Sequence, residues 1–352
     1  MESAVQSRLQ SVQFGEAQTY KNITVLPLIA PADGRFQYCT LGEALGTWGV
    51  AITEVSAAGS VPDLMVVNRG NKPVLLIDGE ELAGAKQNRV LNTSILIKEI
   101  SETRIPVSCT EQGRWSYASR AFAESGNVMA HKARARKTRS VHESLQAFGV
   151  HKSDQGEVWD EVAELQRKAC CMSPTSAMSD VYKARDEDLK KCDEIFKSVA
   201  NQIGFVAFIG GKPAGLDMVS LTSAYARLHP KLVRSYALEA LIEVPPSTPG
   251  GKGKGKAAPE SAPGTPHSEL ARAFLAEIAA AEERQFASVG HGTDYRYRSK
   301  SGPSTPTPRP STICGTALVH ENEVIHAAFF RLDDPEQPAH MASYRNRRRR
   351  YE

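Results

Sequence analysis

Apolar residues change their spacing twice along this chain. Up to about residue 120 they come in short runs, at 23–29, 50–55, 64–67, 74–77, 90–97 and 104–109, divided by glycine, proline and asparagine. Runs of that length, rich in β-branched residues and bounded by turn formers, predict strands joined in antiparallel order. Within 90–97, Leu91, Thr93, Ile95 and Ile97 would share one face, because strand side chains alternate with a period of two. Residues 41–48 predict a short helix. The middle of the chain obeys a different rule. Val141, Leu145 and Phe148 recur at helical spacing. So do Val158, Val162, Leu165 and Ala169, and then Leu189, Cys192, Phe196, Val199 and Ile203. Each set would bury one stripe of a helix, and helices are predicted near 128–149, 156–171 and 186–203. Strands return at 204–209 and 216–219. Two helices follow, 223–228 and 231–242, divided at His229-Pro230 because proline restricts the residue before it. A helix at 268–284 and strands at 283–289, 293–298, 313–320 and 324–331 complete the pattern, the last two forming a hairpin.

The order is strands, helices, strands, without alternating βαβ units. That points to an α+β fold: a mostly antiparallel β core, as a sheet, sandwich or barrel, with a helical insertion. One domain over 10–332 is expected, β-rich at 20–120, helical at 127–203, mixed at 204–244 and stranded at 283–332. Residues 245–266 are dominated by Pro, Gly, Ser, Lys and Ala, too little apolar surface to offset the entropy of ordering, and read as a disordered linker. Residues 299–311 read as a second flexible loop, and 333–352 as a basic disordered tail containing Arg345 and the arginines up to Arg350.

Bulk composition narrows the class. Of 352 residues, 41% are apolar and 24% charged, and 43 basic against 40 acidic residues leave a net charge of +3. That balance by itself implies neither a nucleic-acid nor a membrane partner. No apolar stretch reaches the roughly 18 residues of a membrane span, and the polar start lacks a secretory signal. The six cysteines show no C-x-x-C spacing; free thiols and a cytoplasmic setting are expected, which leaves the N-x-S/T matches at Asn22 and Asn92 without meaning. Residues 204–212 end in Gly-Gly-Lys but fail the phosphate-loop pattern, since Pro213 stands where Ser or Thr is needed. His320 and His326 fall on different strands of the hairpin, as ordinary surface or packed histidines. Cys170-Cys171 reads as a helix-face coincidence.

Two segments carry the densest chemistry. Residues 78–89 join two apolar runs and hold Asp78, Glu80, Glu81, Lys86, Gln87, Asn88 and Arg89 with two glycines. A hairpin needs only about two to five loop residues, so a longer polar connection reads as functional, against a solvated loop with internal ion pairs. Residues 106–116 add Cys109, Glu111, Gln112, Arg114 and Trp115, against a local ion pair and a core indole. If the segments meet, Glu80, Glu81 and Glu111 would serve as acids, bases or oxygen ligands of Mg²⁺. Lys86, Arg89 and Arg114 would clamp an anion, Gln87, Asn88 and Gln112 would belong to the same ligand-binding set, and Trp115 would wall it. Cys109 is the weaker nucleophile candidate, needing a depressed thiol pKa. A third contribution would come from 210–217 and the basic group Arg227, His229, Lys231 and Arg234, against a solvated basic face. The cations at 132–139 and the arginine tail would suit a nucleic-acid backbone, but no aromatic-interleaved motif accompanies them.

Both segments resemble the signature blocks of a bacterial family of unknown function, named for its association with ADP-ribosylglycohydrolase and rhodanese–phosphatase proteins. Residues 198–217, 224–240 and 317–330 are similar to later blocks, so the likeness covers most of 10–332. It implies an enzyme or ligand-binding domain linked to ADP-ribose or NAD-derived metabolism, with no assigned reaction. The expected function is therefore a hydrolase or transferase acting on a phosphorylated nucleotide or ADP-ribose-like ligand. The competing readings are a non-catalytic ligand sensor and a nucleic-acid-associated interaction protein.

Overall fold

The computed structural model describes residues 3–47, 49–56, 58–243, 266–299 and 312–332. Helix α1 (Ala4–Ser11) leads into β1 (Gln13–Phe14), β2 (Gln18–Tyr20) and β3 (Ile23–Ile29). Then come β4 (Cys39–Thr40), α2 (Leu41–Thr47), β5 (Val50–Glu54), β6 (Asp63–Asn68), β7 (Val74–Leu76), β8 (Glu80–Gly84), β9 (Arg89–Leu91), β10 (Ile95–Ile97), β11 (Ser101–Cys109) and β12 (Phe122–Val128). A helical stretch holds α3 (His131–Phe148), α4 (Gln155–Lys168), α5 (Met178–Ala184) and α6 (Asp186–Ile195). The chain ends with β13 (Gln202–Ile209), β14 (Lys212–Val219), α7 (Thr222–Glu243), α8 (His267–Ala280), β15 (Glu282–Ala287), β16 (Thr293–Arg298), β17 (Thr312–His320) and β18 (Glu323–Leu332).

The α+β reading holds. The largest sheet runs β1-β3-β13-β14-β18-β17-β16-β15, with β2 also on β3. A second runs β12-β8-β9-β11-β6-β5 and a third β10-β7-β4. Pairing between these strands is antiparallel except for β4 on β7. The central strands of the large sheet, β3, β13, β14, β17 and β18, are buried on both faces and therefore carry near-continuous apolar runs rather than alternation. In β13, Phe205 and Ala207 enter the core shared with the middle helices and α7, while Val206 and Phe208 enter the core under α1 and α8. A third core fills the smaller sheets against α2.

Several elements differ from the sequence reading. Residues 90–97 do not form one strand. The polar triplet Asn92, Thr93 and Ser94 turns the chain, so β9 and β10 join different sheets. The segment 78–89 is not a long loop, because β8 occupies 80–84 and only 85–88 connect it to β9. The predicted helix at 186–203 stops at Ile195, and Val199 and Ile203 leave the helical stripe. Helix α7 is continuous, with Pro230 inside it; its long apolar flank, including Leu228, Leu232, Tyr236 and Ala240, is buried, and that packing outweighs the missing backbone bond.

The basic run on α3, which in sequence would suit a nucleic-acid backbone, is engaged in ion pairs within the protein. Lys132, Arg136 and Arg139 pair with Glu243, Glu161 and Glu157. Arg134 and Lys137 point into the interior. Arg134 Nε donates to Asp78 at 3.0 Å, and its two terminal nitrogens reach Asp217 at 3.1 and 2.8 Å; Lys137 pairs with Asp78. His326 Nδ1 lies 2.7 Å from Ser94 Oγ in the same buried layer. This ionic layer fastens the large sheet, α3 and the β7–β8 corner together. The predicted linker at 245–266 lies outside the described residues except for residue 266, and the loop at 299–311 except for residue 299, as do Trp48 and the arginine tail.

Candidate functional site

Antiparallel pairing brings the two motif segments together. Cys109, at the end of β11, stands opposite Arg89 at the start of β9, so their side chains share one face of the sheet. The chain beyond each strand continues the contact: Thr110 N donates to the Asn88 carbonyl at 3.1 Å. Asn88 N in turn donates to Glu111 Oε2 at 3.1 Å. Gly113 lets the second segment approach the turn before α5, where a Cβ would meet Thr175 Cα at 2.9 Å.

Most of the predicted polar residues are engaged within the protein. Glu80 is fully buried, accepts from Ile77 N at 3.1 Å, and shares the Lys231 ammonium with Glu124. Burial, helped by the nearby Glu124, raises its pKa against the pull of Lys231. Glu81 accepts from Thr110 Oγ1 at 3.1 Å and Asn127 Nδ2 at 3.4 Å, and burial raises its pKa as well. Glu111 is a different case. Burial pushes it up, but the bonds from Arg114, Thr175 and Asn88 outweigh this and hold its pKa below the usual value. Arg114 Nε and Nη2 grip the two Glu111 oxygens at 2.9 and 2.6 Å. Its Nη1 donates to the carbonyls of Ala85 and Ser116 at 2.7 and 2.9 Å. Arg114 therefore bolts the two segments to each other, and its guanidinium has little left to offer a ligand.

The three carboxylates have separate partners and do not converge. Among the described residues no group of three or more His, Cys, Asp or Glu is arranged to hold a metal ion. Cys109 Sγ donates to Gln87 Oε1 at 3.0 Å. Burial pushes its thiol up to about 11, against the opposing pull of Arg89, so it is a protonated thiol near neutrality and a poor nucleophile. Of the third group, Lys231 is spent on Glu80 and Glu124, Arg234 on Asp193, and His229 lies between Tyr225 Oη and the Phe196 carbonyl at 2.7 and 2.9 Å. Gln112 is exposed.

Arg89 stands apart from these. Its side chain is fully buried, and Nη1 donates to Gln87 Oε1 at 3.0 Å. Its Nε and Nη2 have no hydrogen-bond partner among the described residues. Those two nitrogens lie on one edge of the guanidinium and form the fork that grips carboxylate or phosphate with two parallel bonds. Burial lowers the Arg89 pKa, against the raising effects of Cys109 and Glu54.

Around the fork stand groups of matching character. The Trp115 ring centroid lies 5.7 Å from the Arg89 guanidinium carbon and 5.2 Å from Lys86 Nζ, and Tyr117 lies 5.1 Å from the same ammonium. The two rings are about half exposed, at 48% and 52%. Lys86 Nζ donates to the Ala58 carbonyl at 2.7 Å. Glu54 lies at the same corner. Its Oε1 accepts from Lys86 N at 3.4 Å, while its buried Oε2 has no partner among the described residues. Gly59, with φ of +81°, fits this corner; a Cβ there would lie 3.1 Å from Lys86 Cδ and 3.3 Å from the Trp115 ring.

Glu54 and Tyr117 were not among the residues singled out from the sequence. For Glu54 a signal exists: it keeps the phase of Val50 and Ile52 on the buried side of β5, and a carboxylate on an apolar strand face is unusual. Two surface concavities lie elsewhere, one between α3, α4 and α7 and one beside Arg35, Phe36 and Glu323. At the Arg89 cluster, the buried fork and Glu54 Oε2, without partners among the described residues, lie near the half-exposed Trp115 and Tyr117.

A family model described as the ARG and Rhodanese-Phosphatase-superfamily-associated Protein domain matches residues 11–330. No curated protein and no solved structure matches the chain.

Proposed function

The chain belongs to the ARG and Rhodanese-Phosphatase-superfamily-associated Protein family, and on that premise we propose that it is an enzyme acting on a phosphorylated nucleotide or an ADP-ribose- or NAD-derived ligand received by Arg89. The observation that carries this reading is the unpartnered Nε–Nη2 fork. A buried donor without an acceptor costs about 1–3 kcal/mol, and more when charged. Such a cost is understandable where the group has a ligand to meet. A phosphate oxygen pair would satisfy both donors at once, Lys86 would supply a second cation, and Trp115 and Tyr117 would offer flat faces to a base. Entry requires the half-exposed Trp115 side chain to turn outward. The family name, which links these proteins to ADP-ribosylglycohydrolases and rhodanese–phosphatase proteins, favours an ADP-ribose-type ligand over other anions. The reaction class that fits is hydrolysis or group transfer at the ribosyl or phosphate centre, with Glu111 and Arg114 positioning the loops.

A non-catalytic sensor is the second reading. It is favoured by the engagement of Glu80, Glu81 and Glu111 with protein partners and by the raised Cys109 thiol pKa. A thermal-shift panel of nucleotides, ADP-ribose, NAD and sugar phosphates, with and without Mg²⁺, tests the shared premise. A ligand at 100 times its dissociation constant adds about 2.7 kcal/mol of stability. The expected result is a shift with ADP-ribose-type ligands that Arg89→Met abolishes. Turnover of the stabilising ligand then separates enzyme from sensor. No shift anywhere in the panel rejects both.

A further inference from the structure

Resting on the Arg89 reading, we infer that the unpartnered carboxylate edge of Glu54 is a hydroxyl receptor, so that the ligand class is a ribosyl phosphate whose vicinal diol meets Glu54 while its phosphate fills the Arg89 fork. Glu54 is buried, yet Oε2 has no hydrogen-bond partner among the described residues. A carboxylate in that state lacks one of the bonds that normally compensate burial. What it accepts must be a donor brought from outside the described protein groups.

The neighbours restrict what that donor is. Glu54 Oε1 already accepts from the Lys86 backbone N–H, and the Lys86 stem and the Trp115 ring both lie against Gly59, whose Cβ position is 3.5 Å from Glu54 Oε2. The field of Glu54 reaches both Arg89 and Cys109. One carboxylate therefore sits with two cations, Lys86 and Arg89, and the local balance is positive. A cationic ligand group would meet repulsion from both. A neutral hydroxyl pair attached to an anion meets none. It donates to the carboxylate while the attached phosphate answers the cations. A carboxylate accepting from ribose hydroxyls beside a phosphate receptor is a recurrent solution to nucleotide recognition. Gly59 keeps the corner free of a side chain that would crowd both Trp115 and Lys86.

The test uses the full chain and three probes: inorganic phosphate, ribose 5-phosphate and 2-deoxyribose 5-phosphate, with affinity read by calorimetry. Phosphate is expected to bind weakly. Ribose 5-phosphate is expected to bind about tenfold to hundredfold more tightly than its 2-deoxy analogue, the range for losing a hydrogen bond to a charged acceptor. Glu54→Gln is expected to shrink that ratio to a few-fold. If phosphate and both sugar phosphates bind and the two sugars bind equally, the hydroxyl receptor is refuted while the Arg89 reading stands. If neither sugar phosphate binds, the hydroxyl receptor is refuted, and the Arg89 reading is decided separately by titrating ADP-ribose into the unaltered chain and Arg89→Met. The comparison of the two sugars on the unaltered chain decides the matter even where the Glu54 variant fails to fold.

Discussion

Replacing Arg89 by methionine should stabilise the protein while removing its ligand affinity. The substitution keeps a long apolar stem in the same space and deletes the guanidinium. What is lost is the 3.0 Å bond from Nη1 to Gln87 Oε1 and a long contact with the Asn88 carbonyl. Neither acceptor is orphaned. Gln87 Oε1 keeps the Cys109 thiol at 3.0 Å, and the Asn88 carbonyl keeps Thr110 N at 3.1 Å. The lost charged bond is worth about 1.5 kcal/mol, and relief of two unpartnered buried donors returns about 2 kcal/mol each. Glu54 loses the field of a nearby cation, on the order of 1 kcal/mol at the effective dielectric of a protein. The balance is a gain of about 1–2 kcal/mol, which is a rise of roughly 1–3 °C in Tm for a chain of this size. Urea unfolding followed by circular dichroism measures it. A destabilisation of about 2 kcal/mol or more would show that Arg89 holds the fold together, and the argument from its free fork would be lost. Gain of stability with loss of binding is the opposition expected of a functional residue held at a cost.

Other substitutions should behave differently. Arg114→Ala strands Glu111, whose side chain is only 7% exposed, and should cost about 3 kcal/mol in urea unfolding; Arg114→Lys should recover little, because an ammonium cannot grip two oxygens and two carbonyls at once. Pro230→Ala restores the backbone donor toward the Ala226 carbonyl in α7, and since Pro230 is exposed it should add about 2 kcal/mol; a lower Tm would contradict this. His142 carries a pH signature. Burial first, and then Arg296, Arg298 and Arg284, lower its pKa to about 4 from an ordinary 6.5. The unfolded chain binds the extra proton between those values, so stability is complete above pH 6.5 and falls as pH drops toward 4, by roughly 3 kcal/mol in all. His142→Gln should flatten that slope; an unchanged slope between pH 7 and 4 would refute the assignment.

The fold class was legible because two periodicities, of two and of 3.6, are written into the apolar positions. What was not legible depended on partners distant in sequence. Asn92, Thr93 and Ser94 interrupt an apolar run because they serve His151, Asp294 and His326, and nothing local announces that. The α3 cations resemble a solvated face in sequence, yet Arg134 and Lys137 answer Asp78 and Asp217, which come from two other strand regions. For the candidate site, the sequence singled out two segments, and the Cys109–Arg89 pairing brings them together. Within them only the hydrogen bonds separate the residues: Arg89 and Arg114 look alike in sequence, but one has a fork without partners among the described residues and the other is occupied. Glu54 was missed because it lies outside both segments, although its phase on β5 marks it.

The central claim is that Arg89 is held ready for an anionic ligand of the ADP-ribose type. Isothermal titration of ADP-ribose into the full chain and into Arg89→Met, both confirmed as folded by circular dichroism, tests it most directly. Saturable binding by the unaltered chain, reduced by at least a hundredfold in the variant, is the expected result. Equal binding by the two proteins would place the ligand elsewhere and contradict the claim.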